Sequence, residues 1–117
     1  MKHVYLRYLA LAQNANESNS YMQVVDETAK RLLEVIALSH AQNRPLTVTA
    51  AMALQSMASP GTVHRKLSLL RKNGLIEQVF QGGDQRTKYL VPTAASDDYF
   101  DKLGRILVKA AAEQQQD

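Results

Sequence analysis

The segment from Ser59 to Gly74 constrains the fold more than any other part of the chain. Ser59 is a good helix N-cap, and Pro60 suits the first helical position. Apolar residues then recur at i, i+4 and i+7, which predicts a helix with one narrow buried stripe. The stripe consists of Val63, Leu67 and Leu70. Gly74 follows the cation Lys72 and ends the helix.

The opposite side of this helix is polar and basic. Its members are Thr62, His64, Arg65, Lys66, Ser68 and Arg71. Between Ser59 and Val91, six Lys or Arg residues stand against two acidic residues, so this stretch carries +4 while the whole chain carries +3. A solvated surface usually mixes the two signs, so this concentration is typical of phosphate binding.

Short elements flank the basic helix on both sides. Either Thr47 or Thr49 can cap a short helix that runs to about Gln55, and a turn over residues 56–58 joins the two helices. After Gly74, the runs 75–80 and 87–91 are rich in β-branched and aromatic residues, and residues 81–86 supply turn chemistry. The sequence therefore predicts a β-hairpin with a basic tip, and Pro92 closes its second strand.

Helices are also predicted at both ends of the chain, over about residues 2–13 and 96–112. Residues 14–20 are polar and predict a loop, and a further helix is expected from Gln23 to Gln42. Ser96 is the predicted N-cap of the last helix, with Asp97 and Asp98 at its positive end. The predicted fold class is mainly α with a small β-hairpin wing, in one domain of residues 1–117.

The two terminal helices carry more apolar sides than a monomer of this size can bury. The residues concerned are Tyr5, Leu6, Tyr8, Leu9, Tyr99, Phe100, Leu103, Ile106 and Leu107. We therefore predict a twofold dimer in which these helices pack together. Gly104, inside the last helix, costs about 1 kcal/mol relative to alanine, which makes sense where a partner helix crosses closely.

Composition argues against several other classes of protein. The chain has no cysteine, which excludes thiol chemistry and favours the cytoplasm. His3, His40 and His64 lie far apart, so we expect no metal site and no cofactor. No strained turn presents a serine nucleophile, so catalysis is not expected. No apolar run has the length of a membrane-spanning helix, so we expect no membrane contact.

The predicted order of elements suits binding to duplex DNA. A helix reads base edges in the major groove when its exposed N-terminal side carries hydrogen-bonding and cationic groups and its back is held by a core. The amides at the start of this helix, and of the helix near Thr47 and Thr49, can bind phosphates. The hairpin tip can reach the minor groove or the backbone with Arg86, and Lys88 can add a phosphate contact.

The chain resembles the winged helix-turn-helix of the MarR-type (multiple-antibiotic-resistance) regulators over about Asn43 to Leu107. The resemblance rests on Leu46 to Thr49, on Ser59 to Leu67, on the Gly74-Leu75-Ile76 stop and on the Asp84-Gln85-Arg86 tip, which matches the family's Asp-x-Arg wing motif. It implies a winged helix-turn-helix with N- and C-terminal dimerisation helices, and a DNA-binding part at about residues 43–93.

By position, the resemblance also implies a homodimeric transcriptional regulator of double-stranded DNA, a repressor on a palindromic operator. Arg86 would enter the minor groove, and Asp84 would orient that arginine or contact the backbone. The expected DNA-binding residues are Thr47, Thr49, Ser59, Pro60, Gly61, Thr62, His64, Arg65, Lys66, Arg71, Asp84, Arg86 and Lys88. The chain is short for the family, and the region between Ala12 and Met22 is polar and abbreviated, which argues against the family's usual ligand pocket and against induction by a small-molecule effector.

Other interpretations of the same residues stand beside these. His64 either contacts a base or is simply exposed, and Asp84 and Arg86 either serve DNA or pair with each other across the turn. The whole chain could also be a winged-helix interaction or assembly module that binds an acidic partner protein. These two functions differ in salt dependence, because phosphate contacts release counterions. An enzyme with an unrecognised site is a third alternative.

Overall fold

The computed structural model describes residues 1–54 and 58–115 of the chain. Its helices are α1 (Lys2–Ser18), α2 (Glu27–Ala41), α3 (Val48–Met52), α4 (Pro60–Lys72) and α5 (Ala94–Gln115). Its strands are β1 (Leu46–Thr47), β2 (Ile76–Gln81) and β3 (Asp84–Pro92), and a 3-10 turn covers Met22–Val24. The predicted fold class, mainly α with a small β wing, is confirmed.

The described residues form two compact units. The first contains Met1–Val24 and the chain from Asp97 onward, and the second contains Val25–Ser96. No helix in the described part of the chain is both long enough and apolar enough to cross a membrane.

The second unit has a closed apolar core. The fully buried side chains include Leu32, Leu33, Ile36, Val63, Leu70, Leu75 and Leu90, which come from α2, α4, the corner before β2, and β3. Helix α4 packs against both α2 and α3. The three buried residues of α4 are Val63, Leu67 and Leu70, so the predicted stripe is confirmed. The core therefore holds the back of α4 and leaves its other side to solvent.

Helix α4 begins and ends where the sequence predicts. Ser59 is its N-cap, and the Ser59 side chain accepts a hydrogen bond from the amide of Thr62. Gly74 ends it with a φ of +72°, a conformation that L side chains rarely adopt. Of the two candidate caps for the short helix, Thr47 is the cap of α3, and its hydroxyl accepts from Ala50 N at 3.1 Å. The predicted end of that helix at Gln55, and most of the predicted turn at 56–58, lie outside the described residues.

The sheet has three strands, in the order β1-β3-β2, where the sequence predicted two. Leu46 pairs with Leu90, and Thr47 pairs with Tyr89. A strand of two residues has no hydrophobic period of its own, so only its pairing with β3 defines it. The hairpin of β2 and β3 is the wing. Its connection is only Gly82 and Gly83, because Gln81 belongs to β2 and Asp84 to Arg86 belong to β3, so the predicted turn over residues 81–86 is wrong at both ends.

Two helix boundaries predicted near the N-terminus are wrong. Helix α1 continues to Ser18, through residues predicted to be a loop, because Ala15 is buried and the Asn16 side chain accepts a hydrogen bond from Tyr99. Helix α2 begins at Glu27 and not at Gln23. Its N-cap is Asp26, whose carboxylate accepts from the amide of Ala29 at 2.8 Å. Tertiary contacts in the first case, and a cap in the second, override the local pattern.

Ser96 is not the N-cap of the last helix, contrary to the prediction. Helix α5 begins at Ala94, and Ser96 lies in its first turn, fully buried. The Ser96 hydroxyl donates to the carbonyl of Leu75 at 2.5 Å. Thr93 takes the capping role, since its hydroxyl oxygen accepts from Ser96 N at 3.4 Å. The same Thr93 hydroxyl donates to the carbonyl of Gly74 at 2.6 Å.

Candidate nucleic-acid interface

The exposed face of α4 is the first part of the candidate interface. Its most outward positions follow the helical spacing i, i+4, i+7 and i+11, and all of them are exposed. They are Gly61, Arg65, Ser68 and Lys72. Pro60, His64 and Arg71 are exposed beside this row, and Thr62 is half-buried.

A chain of hydrogen bonds fixes the guanidinium of Arg65 near the start of α4. The Arg65 Nη2 donates to Thr62 Oγ1 at 3.0 Å. That hydroxyl oxygen also accepts from Ser59 Oγ at 3.0 Å, and Ser59 Oγ accepts in turn from the amide of Thr62 at 3.3 Å. A Cβ at Gly61 would lie 3.9 Å from the guanidinium, an ordinary van der Waals distance, so the guanidinium passes close to this residue without requiring glycine there. Arg65 is therefore held toward the helix N-terminus, the end that meets base edges in helix-turn-helix complexes.

Lys66 is placed differently from its neighbour Arg65. Its ammonium contacts the carboxylate of Asp26, the N-cap of α2. The Lys66 side chain is only 26% exposed, so this cation faces its own protein. The hydrogen bond from Lys66, followed by the one from the Ala29 amide, holds the pKa of Asp26 below its ordinary value.

The tip of the wing is the second part of the interface. Asp84 Oδ1 accepts from the backbone amide of Arg86 at 2.8 Å. This bond and a second one from the Thr87 hydroxyl hold the pKa of Asp84 below its ordinary value. Of the two interpretations of Asp84 and Arg86, an ion pair across the turn is absent from the described residues. Asp84 braces the backbone, and the side chain of Arg86 is exposed.

The exposed face of α4 and the tip of the wing each have a concave surface. Residues 83–87 of the wing line an open concavity of about 480 Å³. Ser68, Arg71 and Lys72 line another of about 320 Å³ on α4. Lys72 is one of the six basic residues between Ser59 and Val91, but the predicted DNA-binding set omits it. Its position eleven residues after Gly61 is the signal that could have placed it on the outer row.

Lys88 and the α3 threonines complete the predicted set. The ammonium of Lys88 lies 5.6 Å from the centre of the Phe80 ring, and the two residues are register partners in the wing. Both are exposed, so the lysine is steadied without being covered. Thr47 is half-buried and uses its hydroxyl as a cap, whereas Thr49 is exposed in the first turn of α3.

All of the predicted dimerisation residues lie in the first unit. Several large apolar side chains there are exposed: Tyr5 by 60%, Leu6 by 50%, Leu9 by 42% and Leu107 by 56%. Half-buried are Tyr8, Phe100, Leu103 and Ile106. Tyr99 is 3% exposed, so its ring is covered by its own chain. Val108, exposed by 71%, was missed by the sequence analysis.

Comparison with known proteins places this geometry among solved winged-helix structures. No protein-family model matches the sequence, and no curated protein matches it. Solved structures do. A MarR-like transcriptional regulator from Thermotoga maritima superposes with a TM-score of 0.63 at 18% identity, over 94% of this chain and 79% of the other.

Of two further matches, one was solved with DNA and the other is a regulator by its own name. FabT of Streptococcus pneumoniae, solved in complex with DNA, gives a TM-score of 0.58 at 22% identity, over 94% of this chain and 73% of FabT. MepR, a transcription regulator of the Staphylococcus aureus multidrug efflux pump MepA, gives 0.57 at 17% identity, over 92% of this chain and 75% of MepR. The chain therefore has the winged helix-turn-helix fold of the MarR-type transcription regulators.

Proposed function

We propose that the chain is a cytoplasmic, sequence-specific DNA-binding transcriptional regulator without catalytic activity, and that α4 is its recognition helix. The observation that carries the proposal is the contrast between the two sides of α4. The stripe behind it is buried in the core, while its exposed side presents Arg65, held by Thr62 and Ser59. A rigid back and an oriented hydrogen-bonding front are what base readout in the major groove needs.

The wing supplies the second contact in this proposal. Its backbone is braced by Asp84, and Arg86 projects from it with no ion pair among the described residues. An exposed guanidinium on a strand whose backbone is held by Asp84 suits a narrow minor groove, whose negative potential attracts arginine. The solved complex of FabT with DNA supports the assignment, because FabT shares the fold.

We further propose that the protein acts as a homodimer through α1 and α5. The exposed Tyr5, Leu6, Leu9 and Leu107 are large apolar side chains that a second copy would cover. Gly104 lies beside a shallow concavity of about 390 Å³, and a Cβ there would meet no atom of its own chain within 4 Å. The glycine is thus unexplained by the lone chain, and a crossing partner helix would explain it. A twofold dimer would bind an inverted repeat and act there as a repressor.

Selection of bound duplexes from a random pool tests recognition and symmetry together. We expect a palindrome whose half-sites lie about one helical turn, or 10 base pairs, apart. Arg65→Ala should relax the preference within each half-site, and His64→Ala should do the same if His64 contacts a base. A pool with no enriched sequence, together with binding that salt hardly affects, would instead support the acidic-protein partner.

Ultracentrifugation at micromolar concentration tests the dimer separately. In the lone chain, Gly104→Ala should be neutral or stabilise α5 by about 1 kcal/mol, since alanine is the better helix former. In a dimer with a close crossing at this glycine, the same change should weaken association. A wild-type monomer, or a Gly104→Leu variant that associates as well as wild type, would contradict the proposed crossing.

A further inference from the structure

The starting observation is the position of Lys66 around α4. Successive residues of an α-helix are separated by about 100°, which places Arg65 about 170° from the centre of the buried stripe and Lys66 only about 70° from it. The exposure agrees, because Arg65 is exposed and Lys66 is half-buried. Adjacent cations of the recognition helix therefore point in different directions, and the Lys66 side chain reaches the start of α2.

The Asp26 carboxylate is oriented to bind the Lys66 ammonium. One carboxylate oxygen, Oδ1, accepts from the amide of Ala29 at 2.8 Å and so caps α2. The other, Oδ2, contacts the ammonium of Lys66. Because the helix cap already orients the carboxylate, little side-chain freedom is lost when the pair forms. The Asp26 carboxylate is ionised at neutral pH at its ordinary pKa of 3.8, and its contacts lower that pKa further.

We propose that Asp26 takes the place of a DNA phosphate at Lys66, and so limits the affinity of the recognition helix for DNA. A carboxylate and a phosphate offer the same kind of acceptor to a lysine ammonium, and one ammonium that is neutralised inside the protein releases no counterion from DNA. Lys66 is thus a positioning residue that joins α4 to α2, while Arg65 is a DNA contact. The inference rests on the proposed DNA-binding function.

Salt dependence separates the two roles. Each phosphate neutralised contributes about 0.9 to the slope of log affinity against log salt. In a dimer, Arg65→Met should make the slope shallower by about 1.8, whereas Lys66→Met should leave it unchanged. Asp26→Asn retains a good N-cap but frees the ammonium, so it should raise the affinity at low salt and steepen the slope by about 1.8.

The double variant Asp26→Asn, Lys66→Met is the decisive control. Removal of a negative charge strengthens DNA binding in general, and additive charge effects would also cancel in the double variant. Only release of Lys66 predicts that Lys66→Met has no effect in the wild-type background and yet abolishes the gain in the Asp26→Asn background. Circular dichroism melts of all four variants check that they remain folded. The probe is the palindromic duplex selected above, in titrations from about 50 to 200 mM salt.

The outcomes are distinct. A return of the double variant to the wild-type slope supports the proposal. A Lys66→Met slope as shallow as that of Arg65→Met overturns it, and so does an Asp26→Asn gain that survives in the double variant or that never occurs. In these cases the slope change of Arg65→Met leaves the proposed DNA-binding function standing. If wild type binds no duplex at all, both proposals fail.

Discussion

Removal of the wing arginine offers a clean test of the second DNA contact. Asp84 braces the tip through the backbone amide of Arg86, and Arg86→Ala retains that amide. The Arg86 side chain forms no ion pair with any described residue. The substitution should therefore leave the wing intact and remove only an exposed positive charge.

The expected magnitude follows from counterion release. Two copies of Arg86 in a dimer, each on one phosphate or in one groove, account for about 1.8 of the slope of log affinity against log salt. When the salt concentration rises fourfold, this share alone weakens wild-type binding by about 12-fold. The loss of affinity caused by Arg86→Ala should therefore be about 12 times larger at 50 mM than at 200 mM salt.

Fluorescence anisotropy with the selected palindrome measures this ratio. Gln85→Ala is the matched control, because Gln85 is an exposed and uncharged neighbour in the same wing. Arg86→Ala should weaken binding to most duplexes and alter sequence preference less than Arg65→Ala does. If the slopes of Arg86→Ala and wild type coincide, the wing arginine does not reach the DNA and the assignment of the wing contact is wrong.

Three further predictions concern stability and are measured by urea unfolding. Leu70→Ala should cost about 2 to 5 kcal/mol, because Leu70 is fully buried, whereas the half-buried Leu69 should tolerate alanine better. Gly74→Ala should cost about 1 to 2 kcal/mol, because a side chain is strained at the φ of +72° found there. A Cβ at Gly74 meets no atom within 4 Å, so no clash adds to this cost. Gly83→Ala is the control, because Gly83 has no positive φ. The pKa of Asp26 is lowered on folding, so its stabilisation is present above the ordinary value of 3.8 and is lost as pH falls below it. The difference in unfolding free energy between wild type and Asp26→Asn should therefore shrink as the pH is lowered. A difference that stays constant down to pH 2 would contradict this prediction.

Helix α4 could be predicted because its signals are local. The cap at Ser59, the proline after it, the stripe and the glycine stop all lie within one short segment, and each agrees with the others. In the folded chain, the core buries the apolar stripe that the sequence pattern already indicates. Agreement between levels of this kind is typical of segments whose boundaries can be read from sequence.

Elements defined by distant partners were not predictable in the same way. The polar end of α1 is helical because Ala15 and Asn16 are engaged by the rest of their unit, and β1 exists through its pairing with β3. Among the candidate site residues, Lys66 has the same charge as Arg65, and its contact with Asp26, forty residues away, sets it apart. The helical angle of Lys66 was the one local sign that it lies at the edge of the buried stripe.

Thr93 and Ser96 show why a helix cap can be assigned to the wrong residue. The sequence predicted Ser96 as the cap of α5, but the choice of cap depends on the corner formed by Gly74 and Leu75, between the end of α4 and the start of β2. That turn leaves two carbonyls that need donors. The Thr93 hydroxyl donates to the Gly74 carbonyl at 2.6 Å, and the Leu75 carbonyl accepts from both the Thr93 amide at 3.2 Å and the Ser96 hydroxyl at 2.5 Å. Ser96 is therefore buried where a cap would be exposed, and the two hydroxyls at the start of α5 hold the junction between α4 and the wing.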